Sequence, residues 1–126
     1  MSSSLSLIQG SSEPMLIPFS LGQLLDHQAA KYPTREAVVF PTEGVRYTYH
    51  ELNSRVQIVS KALLAHGISA GNRIGVFSGN CVQYVEVFLA ATRIGAITVL
   101  LNTAYSSIEC QNVLKETGEY SYTPTE

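Results

Sequence analysis

Residues 91–105 read ATRIGAITVLLNTAY, a helical pattern that stops at Gly95 and passes at once into the almost wholly apolar run 96–101. A mostly apolar run directly behind a helix stop reads as a buried strand of a parallel sheet. Upstream, residues 73–77 (RIGVF) form an earlier strand, and residues 82–94 form the helix between the two. With a right-handed crossover these three pieces make a βαβ unit. On its helix Gln83, Glu86 and Arg93 draw a thin polar line, while Val82, Tyr84, Val85, Phe88, Leu89 and Ile94 cover much of the rest, as in a helix packed on a sheet. Asn80 is the expected cap of that helix.

Further upstream, Thr48 and Glu51 form a capping box, in which a hydroxyl accepts a backbone N–H and a carboxylate reaches back to the cap while favouring the positive helix end. Leu52, Val56, Val59 and Leu63 follow at helical spacing, Gly67 closes the helix and Ile68 supplies the apolar contact that accompanies such a stop. Residues 37–40 and 45–48 read as two short strands joined through Pro41, Thr42, Glu43 and Gly44, a hairpin. Before them, Ser20 and Gln23 open a helix over 21–32 with Leu21, Leu24, Leu25, Ala29 and Tyr32 as its apolar stripe, ended by Pro33.

Downstream, Ser106 and Glu109 mark a third capping box, and the helix behind it carries Ile108, Val113 and Leu114 as far as Gly118. Residues 119–123 alternate like a short edge strand, after which Pro124 forbids further central pairing. Three regions result: a flexible Ser-rich lead-in over 1–19, a partial α/β domain over 20–118, and a divergent tail over 119–126.

Eight Lys plus Arg against ten Asp plus Glu give a net charge of −2 with no basic stripe and no acidic tract, so nucleic acid is not an expected partner. Cys81 and Cys110 lie far apart without a Cys-x-x-Cys spacing, which points to neither zinc nor a disulfide framework and fits a reducing compartment. No apolar run approaches the roughly 20 residues that span a bilayer. The first basic residue is Lys31, against a secretory or Arg-rich transit start, and no peroxisomal signal is legible, so an intracellular, cytoplasmic location is expected by default.

The search for chemistry yields no site. His27, His50 and His66 each sit alone, without the spacing of a metal ligand set. Ser78 lies between a strand and a helix, but its neighbours do not form the Gly-x-Ser-x-Gly elbow of a hydrolase. Gly75 and Gly79 flank a helix start without the GxGxxG dinucleotide spacing, so packing and a turn are the expected roles. Tyr47, Tyr49, Tyr84 and Tyr105 fit core positions at strand ends and on a buried helix better than a ligand groove.

Two ordered segments carry a family resemblance: YTYHEL over 47–52, and the strand segment over 93–105. GQLLDHQAAKYPTREAVVF over 22–40, GISAGNRIGVFSGN over 67–80 and YVEVFLAATRIGA over 84–96 support them in order and spacing. Across residues 21–118 the chain resembles the opening of an adenylate-forming, AMP-binding ligase, and within that superfamily the acyl-CoA synthetases. Thr103 departs from the Pro that many of these enzymes carry after the Leu-Asn pair, and after Gly118 the resemblance stops.

The resemblance implies the N-terminal subdomain of the ligase fold, incomplete here, as a β-hairpin plus a parallel βαβα unit. It also implies activation of a fatty acid or other carboxylic acid by ATP, through an acyl adenylate and pyrophosphate, to acyl-CoA and AMP. ATP, magnesium and coenzyme A are the cofactors of an intact member. The phosphate loop, the magnesium-holding Glu, the ribose-binding Asp and the lid Lys of the family match nothing in this sequence. No catalytic, cofactor-binding or metal-binding role is therefore assigned to any residue, and the chain alone is expected to be an inactive, truncated N-terminal fragment that binds no cofactor. Two other functions fit the pattern: an interaction partner that complements another ligase chain through its unpaired sheet edges, and a small nucleotide-binding βαβ module.

Overall fold

Helix starts in this chain are written by local side chains. In the computed structural model, which describes residues 10–118, Ser20 Oγ accepts from Gln23 N at 3.3 Å and Gln23 Oε1 accepts from Ser20 N at 2.9 Å, opening α1 (Leu21–Lys31). Thr48 Oγ1 accepts from Glu51 N at 3.2 Å while Glu51 Oε2 accepts from Thr48 N at 2.8 Å, opening α2 (Tyr49–Ala65). The same reciprocal pair between Ser106 and Glu109 opens α4 (Ser107–Thr117). All three boxes stand where the sequence places them.

Between α1 and α2 the chain forms β1 (Glu36–Phe40) and β2 (Val45–Thr48), an antiparallel hairpin turned through a short 3-10 segment at Pro41–Glu43. Its register runs from Phe40 opposite Val45 to Glu36 opposite Thr48, with an irregularity between Glu36 and Val38. After α2, β3 (Arg73–Phe77) leads into α3 (Val82–Arg93) and then β4 (Ile97–Leu101). β3 and β4 pair in parallel, Arg73 beside Ile97 through Phe77 beside Leu101. The expected α/β pattern of a hairpin followed by a parallel βαβα unit is present, as two separate two-stranded sheets.

The cap of α3 differs from expectation. Cys81, not Asn80, occupies the cap position in extended backbone and makes no capping hydrogen bond with its side chain. Because the helix begins at Val82, Asn80 sits one residue too early. The duty passes to a distant group: Glu43 Oε2, from the hairpin turn, accepts from Val82 N at 3.4 Å.

Two apolar clusters share α3. The larger joins Leu25 of α1, Leu52 and Val56 of α2 and Ala90 of α3, with Val38, Tyr47 and Tyr49 of the hairpin region packed on it. The smaller joins Ile68, Ala91 and Ala96 with Ile74, seating α3 on one face of the β3–β4 sheet. Helices α1 and α3 approach closely enough that a Cβ on Gly22 would lie 2.9 Å from Arg93 Cα. At Gly95, φ is +76°, a region costly for residues with a Cβ, and the reversal there is stitched to the 70–72 turn by Gly71 N to Gly95 O at 2.9 Å.

The β3–β4 sheet leaves apolar side chains open on both faces. Phe77 and Ile97 lie on one face at 54% and 47% exposure, and Leu100 lies on the other at 49%. Residues 10–19 form no helix or strand and present Met15, Leu16, Ile17 and Phe19 to the exterior. The strand expected over 119–123 and the start of the lead-in lie outside the described residues.

Candidate functional site

Buried polar groups concentrate along the contact of α2 with α3 rather than at the strand ends. Of the polar line of α3, Gln83 is exposed, but Glu86 and Arg93 do not face water: they lie against α2 and α1. Glu86, 3% exposed, accepts from Arg55 Nε at 3.0 Å and from Arg55 Nη2 at 3.4 Å. This hydrogen bond and the nearby negative charge push the Arg55 guanidinium pKa further up, so it stays charged. One turn further along, Ser60 Oγ donates to Val56 O at 2.7 Å and lies 3.4 Å from Ala90 O.

Arg93 completes the line by donating through Nη2 to Asp26 Oδ1 of α1 at 2.5 Å and to Asn53 Oδ1 of α2 at 2.7 Å. These contacts join residues separated by 31 positions for Arg55 and Glu86 and by 67 for Asp26 and Arg93. No local spacing signals them, and the sequence reading missed them all, as it missed Glu43. Each charge in the network is answered by an internal partner, while the buried Arg93 Nε is left without a hydrogen bond. The network sets the register of three helices and offers no free base or nucleophile to a substrate.

In open α/β sheets the usual place for a ligand is the crevice beyond the C-terminal ends of the strands. There, Ser78 Oγ lies 3.3 Å from Cys81 Sγ and donates to Gly79 O at 3.2 Å, a local contact without an acid–base partner. After β4, Asn102 folds the chain into a turn, its Oδ1 accepting from Ala104 N at 2.9 Å. The first turn of α3, next to Gly79, is met by the Glu43 carboxylate. A negative group in that position repels the phosphates that a bare helix start would attract, so these residues do not fit a triphosphate.

The other residues singled out from the sequence are dispersed. The His27 ring lies 5.2 Å from that of Phe19, and His50 and His66 are exposed. Tyr47 and Tyr49 pack on the larger core, Tyr84 is half-buried on α3, and Tyr105 stands exposed in the turn before α4. Cys81 and Cys110 are free and half-buried. Among the described residues no three His, Cys, Asp or Glu side chains are grouped as a metal would require, and no helix is long and apolar enough to cross a membrane.

A family profile described as "AMP-binding enzyme" matches residues 25–119. The acyl-CoA ligase sidI of Beauveria bassiana is 45% identical over 105 residues, covering 83% of this chain and 18% of that protein. Its namesake in Aspergillus fumigatus is 44% identical over 113 residues, 90% of this chain and 19% of that protein. Among solved structures, the inhibitor-bound N-terminal domain of FACL13 from Mycobacterium tuberculosis superposes with a TM-score of 0.76 at 30% identity, covering 78% of this chain and 25% of that one. The chain thus spans about a fifth of the length of the curated relatives it matches.

Proposed function

We propose, from the premise that this chain belongs to the AMP-binding enzyme family, that it supplies the opening layer of an acyl-CoA ligase's AMP-binding domain and performs no chemistry alone. The similarity to acyl-CoA ligases supports the reaction class: a carboxylate attacks the α-phosphate of ATP, pyrophosphate leaves, and the thiol of coenzyme A then displaces AMP from the acyl adenylate. Such a reaction needs donors and a metal aimed at phosphoryl oxygens where charge develops.

The observation that supports the inactive reading is the internal pairing of the charges in the buried polar network. Arg55, Glu86, Arg93, Asp26 and Asn53 are spent on one another, and Glu43 places negative charge at the helix start nearest the strand ends. What these residues do is hold α1, α2, α3 and the hairpin in one arrangement. The test is purified chain incubated with ATP, magnesium, coenzyme A and a panel of carboxylic acids, with pyrophosphate and acyl-CoA measured. The expected result is no turnover above a boiled control, and any acid-dependent release of pyrophosphate overturns the reading.

Exposure of Phe77, Ile97 and Leu100 on both sheet faces favours one second reading, in which the chain pairs with another ligase polypeptide. Parallel strands are stable when covered on both faces. Co-purification with a ligase lacking the matching first fifth distinguishes this reading from a solitary chain. The third reading, a nucleotide-binding module, is opposed by the Glu43 carboxylate.

A further inference from the structure

We propose that the outer edge of β3 docks the same edge of a second copy of this chain, antiparallel about a two-fold axis through Gly75. The backbone ladder states which groups face outward. Ile97 N donates to Asn72 O at 2.8 Å, and the parallel register sets Ile74 beside Thr98. In such a ladder alternate residues of a strand turn both N–H and C=O toward the same neighbour. Asn72, Ile74 and Val76 therefore serve β4, while Arg73, Gly75 and Phe77 aim their backbone groups at the outer edge, where no strand pairs among the described residues. β3 contains no proline and its register has no bulge, so neither of these edge-blunting devices protects it.

A second copy is the occupant because this edge is complementary to itself. With Gly75 opposite its own equivalent, Arg73 lies opposite the partner's Phe77 and Phe77 opposite the partner's Arg73, each pair exchanging both N–H and C=O groups. The three residues whose backbone groups meet are exposed, and Ile74 and Val76 between them are half-buried. Arg73 and Phe77 share one sheet face, on which the ring is 54% exposed. Each guanidinium can then lie against the opposite ring, a cation–π contact that the axis makes twice. Gly75 puts no side chain on the axis.

Other registers lack this match. Centring the pair on Arg73 sets like charges against each other, and centring it on Phe77 leaves most of the strand unpaired. The outer edge of β4 offers no equivalent, because self-pairing about Val99 sets Ile97 against Leu101, which is already buried in its own chain. Pairing through β3 joins two two-stranded sheets, each marginal alone, into one continuous sheet, with the same patch contributed by both copies. The inference is independent of any enzymatic reading of the chain.

Sedimentation equilibrium of the full chain tests it, beside Gly75→Pro. The Gly75 N–H makes no bond to β4, so proline there removes an outward donor and leaves the β3–β4 ladder in place. The unaltered chain is expected to dimerise reversibly, and Gly75→Pro to weaken the dimer at least about tenfold. A monomer at every concentration overturns the proposal, as does a dimer that Gly75→Pro leaves unchanged. Should Gly75→Pro fail to fold, cross-linking gives the second measurement, in a background carrying Cys81→Ser and Cys110→Ser. Arg73→Cys mixed with Phe77→Cys is expected to give a disulfide-linked dimer, because opposed residues of antiparallel strands lie within disulfide reach, whereas neither variant alone is expected to link. No linkage in the mixture, or equal linkage in either variant alone, overturns the proposal.

Discussion

Glu86 and Arg55 form a one-sided pair: the Glu86 carboxylate is sealed between α2 and α3, while half of the Arg55 side chain remains in water. The cost of taking charge out of solvent falls on the carboxylate, and only the guanidinium offsets it.

Removing Arg55 is therefore expected to hurt more than removing both partners. Arg55→Met leaves a buried charge unanswered, whereas Arg55→Met with Glu86→Leu replaces the pair by apolar contact. Urea unfolding of the two variants checks this. A double variant less stable than Arg55→Met would refute the assignment.

The contact of Gly22 with Arg93 makes a second expectation. A Cβ at position 22 would lie 2.9 Å from Arg93 Cα and 3.2 Å from its Cβ, so α1 must move off α3. Gly22→Ala is expected to cost about 1–3 kcal/mol by overpacking, with Gly22→Val worse. Denaturant midpoints measure the loss, and Asp26→Asn in the Gly22→Ala background should add little once α1 has moved, because the ion pair is already displaced.

Gly95 differs in kind, since its φ of +76° penalises any Cβ before neighbours are considered. Gly95→Ala is expected to cost about 1–2 kcal/mol for the backbone alone. The Ala70 Cβ, 3.1 Å from the new methyl, adds to that unless it gives way. Gly95→Ala in an Ala70→Gly background isolates the backbone part, and the difference in thermal midpoint between the two backgrounds reads the contact.

Acid sensitivity follows from the caps. Hydrogen bonds from the Thr48 backbone and hydroxyl hold the Glu51 pKa below its ordinary value, and those from Ser106 do the same for Glu109. A carboxyl whose folded pKa is depressed contributes stability above its unfolded pKa, lost as pH falls through the folded one. Stability should thus be flat near neutrality and decline below the ordinary carboxyl value of 4.5. Glu51→Gln with Glu109→Gln is expected to be less stable at pH 7 and to show a shallower decline. Identical pH profiles for the two proteins would contradict the linkage.

Much of this fold is legible along the chain because its causes are local. A capping box needs two residues three apart, a helix stop needs one glycine, and strands β3 and β4 announce themselves by mostly apolar character. Residue spacing therefore marks α1, α2 and α4 at their first residues and β2 and β3 at both ends. The cap of α3 escaped for the converse reason. The first amide of that helix is satisfied by Glu43, 39 residues earlier, and no window around Asn80 contains that information.

The candidate site divides along the same boundary. Residue identity alone set the expectation of no phosphate loop or ligand set, since both are matters of residue types and spacing. Direction was decided only by tertiary packing: Glu86 and Arg93 look like a solvent line on one helix, yet α1 and α2 close over them. Helical periodicity states which residues share a face but contains no term for what that face meets. Contact between distant segments supplies that term, and here it turned a polar stripe into the buried lock between three helices.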